Sequence, residues 1–244
     1  MRIVADLHTH TIASGHAYST VKEMVTAASR LRLKMVGITD HGPAMPGGPH
    51  RYHFGNLRNL PAELDGVEIL RGVEANILDT SGRLDLPEYY LRSLDLVLAG
   101  LHFVCYPGGS SRENTQAVLA AMDNPYVDGI VHPGNPEYKL DYGAMVEKAA
   151  AKNILIEINN SSLGGRARRG SRDACRTIAD FAKETGALLL VSSDAHFCTE
   201  VGSFQKSLEL IDAAGVGEEQ IINTSTVKVK NFLAAKGKKR FRPS

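Results

Sequence analysis

Short apolar runs alternate with amphipathic stretches along nearly the whole chain. Residues 3–5, 35–38, 67–73, 95–101, 127–131, 154–158 and 187–191 read as strands, each brief and almost wholly apolar. That pattern fits strands covered on both faces better than strands with one wet side. Between them, apolar residues return at helical spacing. Val21, Met24, Val25, Ala28 and Leu31 form one such stripe, with Ser19 or Thr20 as its cap. Helices are also predicted over 87–93 and 113–122, and from an Asp141 cap through Lys152. Another starts at a Ser171 cap and carries Ala174, Ile178 and Phe181, and two more cover 203–213 and 226–235. Residues 42–53 contain Pro43, Pro46, Gly47, Gly48 and Pro49, which is loop chemistry. Seven strands alternating with helices predict parallel β–α–β units.

The polar residues fall where the apolar runs stop. Asp6-Leu7-His8-Thr9-His10 follows the first run, and on an extended backbone His8 and His10 share a face. His16 comes shortly after. His41 follows the second strand, Glu74 the third, His102 the fourth and His132 the fifth, while Asp194 and His196 follow the seventh. In an open sheet these ends would lie in a line, and most could not meet. A barrel gathers them around one mouth, at the edge where barrel enzymes place their sites. The expected fold is therefore α/β, a distorted seven-stranded (β/α)7 barrel.

Seven of the nine histidines belong to this series. Chance explains any one of them, but not the set. Imidazole nitrogen and carboxylate oxygen without thiolate suit Zn²⁺, Mn²⁺ or Fe²⁺. Nine ligands exceed what one ion can use, so two or three ions are implied. Glu74 has two oxygens and is the natural bridge, holding cations roughly 3.5–4 Å apart. Such clusters bring a bound water toward a pKa of about 7, and the inferred chemistry is metal-assisted hydrolysis.

Composition narrows the setting. The 244 residues suit one domain over 1–235, followed by a basic tail over 236–244 that reads as solvated, with a nucleic-acid contact as its alternative. A net charge of +1 creates no field that favours nucleic acid or an anionic membrane. No run approaches membrane-spanning length, and Asp6 interrupts any signal-peptide core. Cys105, Cys175 and Cys198 are odd in number and far apart, so free thiols and a cytoplasmic location are expected. Cys198 reads as a small buried side chain, not a ligand. The oligomeric state is left open, a homo-oligomer included.

Around the ligands, Asp6 and Asp40 sit where either can orient an imidazole, although Asp40 can equally cap the loop after it. Arg166, Arg168 and Arg169 follow the sixth strand on the ligand edge, and a guanidinium fork suits phosphate oxygens. His50 and His53 lie in the loop after the second strand, which can cover the mouth.

The segments DLHTH, HTIASGHAYST, ITDHGP, ILRGVEANI, AGLH, HPGNP, EINNSS and SDAH together resemble the PHP (polymerase and histidinol phosphatase) superfamily, and specifically its YcdX-type bacterial phosphatases. The resemblance spans almost the entire chain. It implies a distorted seven-stranded barrel, three divalent ions (usually zinc) and phosphatase activity. Carried over residue by residue, His8 and His10 bind one ion with Glu74 and Asp194. His16, His41 and His196 bind a second, and His102 and His132 a third with Glu74 shared. Catalysis is then expected to rest on Glu74, His102, Asp194 and Asp40, with Arg166, Arg168 and Arg169 on the substrate. The arginine segment runs one residue longer than the family pattern.

The expected reaction is hydrolysis of a small phosphate monoester by a metal-bound hydroxide. Histidinol-phosphate hydrolysis or a nuclease-type phosphodiesterase are the alternatives within the superfamily. A non-catalytic metal-binding module is the alternative outside it.

Overall fold

The computed structural model describes residues 1–164 and 168–242. Seven strands run parallel around a nearly closed barrel: β1 (Ala5–Thr9), β2 (Met35–Ile38), β4 (Val67–Asn76), β5 (Leu96–Gly100), β6 (Gly129–Ile130), β7 (Leu155–Asn159) and β8 (Leu189–Ser192). A two-residue strand, β3 (Glu63–Leu64), pairs antiparallel with β4 and lies off this path. Apart from the link through β3, helical segments connect the strands: α1 (Val21–Arg30), α2 (Tyr52–Asn56), α3 (Glu88–Leu91), α4 (Ser111–Ala121), α5 (Tyr142–Lys152) and α6 (Ser171–Thr185), while α7 (Gln205–Ala214) follows β8. The last helix is α8 (Thr226–Ala235).

Local signals explain where the helices begin. At α1 the Thr20 hydroxyl accepts from Glu23 N, while the Glu23 carboxylate accepts from Thr20 N at 2.7 Å, a reciprocal capping box. Ser110 and Glu113 repeat that arrangement at α4, and Asp141 caps α5 as expected. The Ser171 expectation is corrected. Gly170 occupies the cap at φ +101°, and Ser171 is the first helical residue, its hydroxyl donating to Arg168 O.

The barrel interior is apolar below and polar above. Met35, Leu70, Leu96, Leu98, Leu155 and Leu190 fill its lower half, and Ile222 with Val229, Phe232 and Leu233 of α8 plugs the floor. Removing side chains of that size from water stabilises by about 1.5–3 kcal/mol each. With seven strands the ring needs help to close between β8 and β1. Near the mouth, His10 N donates to Ala195 O (2.9 Å) and Asp194 N to His8 O (3.0 Å). Lower down, the fully buried Asn223 fills the gap: its amide donates to Ala5 O (2.7 Å) and Val191 O (2.6 Å) and accepts from Val191 N.

Three expectations are revised. The first strand covers Ala5–Thr9 instead of 3–5, so His8 lies on the strand itself. A buried polar face is tolerated there because it looks into the mouth. For the same reason β4 runs on to Asn76 and carries Glu74 within it. The tail is not simply solvated. Lys238 is buried against Asp128 at 2.6 Å, and Arg240 reaches both Asp95 and Glu68 at 2.9 Å. Residues 243 and 244 of that tail lie outside the described residues.

Candidate metal centre

Glu74, buried on β4, is the hub of the mouth. Its Oε2 lies 2.8 Å from His41 Nδ1 and 3.3 Å from both His8 Nε2 and His10 Nε2. Its Oε1 lies 2.6 Å from His132 Nε2 and 3.0 Å from His102 Nε2. Asp194 approaches from the seam, with Oδ1 at 3.2 Å from His10 Nε2 and 3.5 Å from His8 Nε2. His16 stacks on His41 and His196 at 4.9 and 5.0 Å between ring centroids. All nine residues named from the sequence therefore meet here. Donor atoms of seven of them form three overlapping groups: His8, His10 and Asp194; His10, His41 and His196; and His41, Glu74 and His102; His16 and His132 flank these groups.

Backbone geometry makes room for this crowd. Gly100 ends β5 beneath the ligands, and a Cβ there would lie 2.9 Å from His132 Cε1 and 3.3 Å from Glu74 Oε1. His132 and Asp194 hold φ of +34° and +55°, a region that costs a side-chain-bearing residue of order 1–3 kcal/mol. Such strain persists only where the surroundings fix it.

The ring nitrogens away from the hub are tied down. His8 Nδ1 donates to Glu157 Oε1 at 2.6 Å, His10 Nδ1 to Ser14 Oγ at 3.0 Å, and His196 Nδ1 to Asp194 O at 2.9 Å. Each bond turns Nε2 toward the cluster, where in the neutral ring its lone pair is the one a metal-binding imidazole needs. Glu157 is itself held by Ser192 Oγ, His132 N and Asn159 Nδ2.

The electrostatics call for positive charge. Glu74, Asp194 and Glu157 bury three carboxylates at the mouth, against one guanidinium from Arg168. Burial alone would raise Glu74, but His41, His102 and His8 outweigh it and hold the carboxyl well below its ordinary range. Asp194 is lowered in the same way by His8 and Arg168. Burial opposes a proton on His8, yet Glu157, Asp194 and Glu74 lift its pKa well above the ordinary value. Burial and His41 push His10 down to about 3, and burial with Arg168 pushes His132 to about 4, so both stay neutral. Glu74 Oε2 and His102 Nε2 are buried without a hydrogen bond among the described residues. Groups so close that do not bond one another fit around cations. The residues present therefore suit divalent metal.

A model of the PHP domain matches residues 6–159. The chain belongs to the PHP family. A probable phosphatase of Caldanaerobacter subterraneus subsp. tengcongensis is 51% identical to this PHP chain, over 98% of it and 94% of the relative. One from Acetivibrio thermocellus is 48% identical over 99% of both chains. The fold is also that of histidinol phosphate phosphatase from Lactococcus lactis subsp. lactis, solved with zinc, L-histidinol and phosphate. That likeness has a TM-score of 0.62 at 16% identity and covers 87% of this chain and 94% of the other. The activity that goes with this membership is hydrolysis of phosphoric esters, and PHP domains bind metals for it.

Other expected residues divide. Arg168 Nη1 bonds Asp194 Oδ2 at 2.8 Å and Ser162 Oγ at 3.3 Å, at the edge of the cluster. Arg169 is exposed, and Arg166 lies outside the described residues. Asp40 acts through Ser14: its Oδ1 accepts from Ser14 Oγ (2.7 Å), which in turn accepts from His10. It also accepts from Thr11 N, in the segment after β1, whereas in the loop that follows Asp40 it is Asp85 that accepts from Ala44 N. Asp6 orients no imidazole. It accepts from Ser193 and Gly202 and fastens the seam instead. His53 Nε2 lies 3.3 Å from Asp40 Oδ2, whereas His50 is exposed. Cys198 is half-buried and stands outside the ligand groups. Glu157 went unnamed, although a signal existed: it is a lone charge inside the apolar run 154–158. Ser14 and Asn159 offered no such signal.

Proposed function

We propose that this chain hydrolyses a small phosphate monoester at a centre of three divalent ions, zinc first and manganese or iron as alternatives. The observation that carries the reading is Glu74, whose two oxygens stand within 3.3 Å of five imidazoles. In this reading His8, His10, Glu74 and Asp194 hold one ion, and His16, His41 and His196 hold a second. His102 and His132 hold the third, sharing Glu74. The donor set contains no thiolate, and the Lactococcus lactis neighbour was solved with zinc. Bound divalent cations acidify water into a nucleophile at neutral pH and offset charge on the phosphoryl group.

The chain's own residues supply the rest. Glu157, Ser14 and the Asp194 carbonyl fix three imidazoles in the tautomer that presents Nε2. Arg168 uses only Nη1 in hydrogen bonds among the described residues, which leaves Nη2 and Nε for phosphate oxygens. The phosphate and L-histidinol bound by the Lactococcus lactis enzyme make L-histidinol phosphate the second substrate to assay. The three cysteines stand as free thiols, in keeping with a reducing, cytoplasmic setting.

Glu74→Gln tests the reading, because it keeps the shape and removes the charge. Fewer ions per chain by elemental analysis and a kcat drop of ~10²-fold or more are expected, as for loss of a major electrostatic stabiliser. Full metal content together with an undiminished phosphatase rate would sink the bridging role.

A further inference from the structure

A cavity of about 500 Å³ lies outside the barrel, between the segment 52–58 that follows the β2 loop and the segment 89–95 that precedes β5. That is the size of a small-ligand site. None of the nine mouth ligands lines it.

Its wall is cationic. Arg58, Arg71, Arg92 and Lys239 face it, and none of the four makes an ion pair among the described residues. Arg240 also lines it but is committed to Asp95 and Glu68 at 2.9 Å each. Asp95, the one carboxylate among the described lining residues, is spent on Arg240 Nη1 (2.9 Å) and Arg71 N (3.1 Å). Arg71 gives Nη2 to Leu60 O at 2.6 Å, and its Nε has no partner among the described residues. Four uncompensated positive charges around one void repel one another, and an anion between them relieves that repulsion.

The wall is also aromatic. Tyr52 and Tyr89 are 68% and 66% exposed, unusual for large rings, and both face the cavity. The Arg92 guanidinium lies 5.1 Å above the Tyr89 ring. Tyr90 packs against α2 at Gly55, where a Cβ would sit 3.0 Å from Tyr90 Cε1. Guanidinium groups beside open aromatic faces suit a ligand that combines phosphate with a flat ring.

We propose that this cavity binds a nucleoside phosphate, separately from the metal centre. The probe is an AMP analogue with a P–C bond in place of the 5′ ester, which phosphatases do not cleave. Equilibrium dialysis against metal-loaded wild-type protein, Glu74→Gln and the double variant Arg58→Ala/Arg92→Ala separates the two sites. Binding should persist in Glu74→Gln. It should weaken by about 10-fold or more in the arginine variant, which is about 1.4 kcal/mol or more of binding free energy. The arginine variant should keep the far-UV circular dichroism and thermal transition of wild type, which shows that it is folded. No binding to wild type, loss of binding in Glu74→Gln, or undiminished binding in the arginine variant would each overturn the proposal. Because the readout is binding at a second place, failure of the phosphomonoesterase reading leaves it intact.

Discussion

At the floor of the barrel Lys238 Nζ stands 2.6 Å from Asp128 Oδ2, whereas at the mouth Glu74 meets five imidazoles; both carboxylates keep one buried oxygen without a hydrogen bond among the described residues, so the two regions differ in how their charges are paired. Both regions bury charge in a protein interior where isolated charge is costly. At the floor the accounts balance locally: Lys238 answers Asp128, Arg240 answers Asp95 and one oxygen of Glu68, and Lys230 answers the other Glu68 oxygen at 2.7 Å. At the mouth three carboxylates outnumber one guanidinium, and the surplus lone pairs point at common centres. A region whose charges are paired one for one holds the fold. A region that needs cations to become satisfied is built to bind them.

The difference is broken most directly by removing metal. Exhaustive chelation should lower phosphatase activity by ~10²-fold or more while far-UV circular dichroism is kept, and added zinc should restore the rate. Unfolding on chelation would show that the mouth, too, is mainly structural. Lys238→Met is the converse experiment. It leaves Asp128 buried with Val97 N as a remaining donor, and breaking such a pair costs about 3–5 kcal/mol. At roughly 2–4 °C per kcal/mol, Tm should fall by about 10 °C, with kcat unchanged below the transition. A normal Tm, or a lost kcat with normal Tm, would reverse the assignment of the two regions.

The mouth was far more legible in the sequence than the floor. His8, His10, His41, Glu74, His102, His132, Asp194 and His196 each follow or end an apolar run, and a parallel barrel gathers run ends at one rim. Hidden from that logic were partners that act at long range. Glu157 bonds His8 across 149 residues, and Asn223 fills the seam between β8 and β1 from beyond the last strand. Lys238 looked like one more cation in a basic tail, because its partner Asp128 lies 110 residues earlier at a strand start. The first strand was placed too early for a related reason. Apolar runs mark strands, but Asp6, His8 and Thr9 are buried strand residues whose side chains bond Ser193, Glu157 and Gly37 O inside.

The smallest effect separates two aspartates that precede ligand segments, Asp6 and Asp40. Burial, only partly offset by donors from Gly202 and Ser193, raises Asp6 to about 6. Burial would raise Asp40 as well, but His53, Thr11 N, His10 and Ser14 overcome it and bring the carboxyl down to about 2. For Asp40 the folded pKa lies below the unfolded one, so its ionised form stabilises the protein. That contribution, about 2 kcal/mol from the shift, is complete well above pH 4 and is lost as pH falls through about 2, with roughly half gone by pH 3. Asp40→Asn has no such proton to take up: its Oδ1 still accepts from Thr11 N and Ser14 Oγ, but an amide nitrogen replaces the acceptor facing Thr11 Oγ1 and His53, and the charge is gone. In metal-free protein the urea midpoint of Asp40→Asn should therefore trail wild type most at pH 5 to 6, with the gap narrowing steadily toward pH 3. A gap that stays constant over that range would show that the Asp40 carboxylate is not held ionised by its donors, and the link from Asp40 through Ser14 to His10 would have to be redrawn.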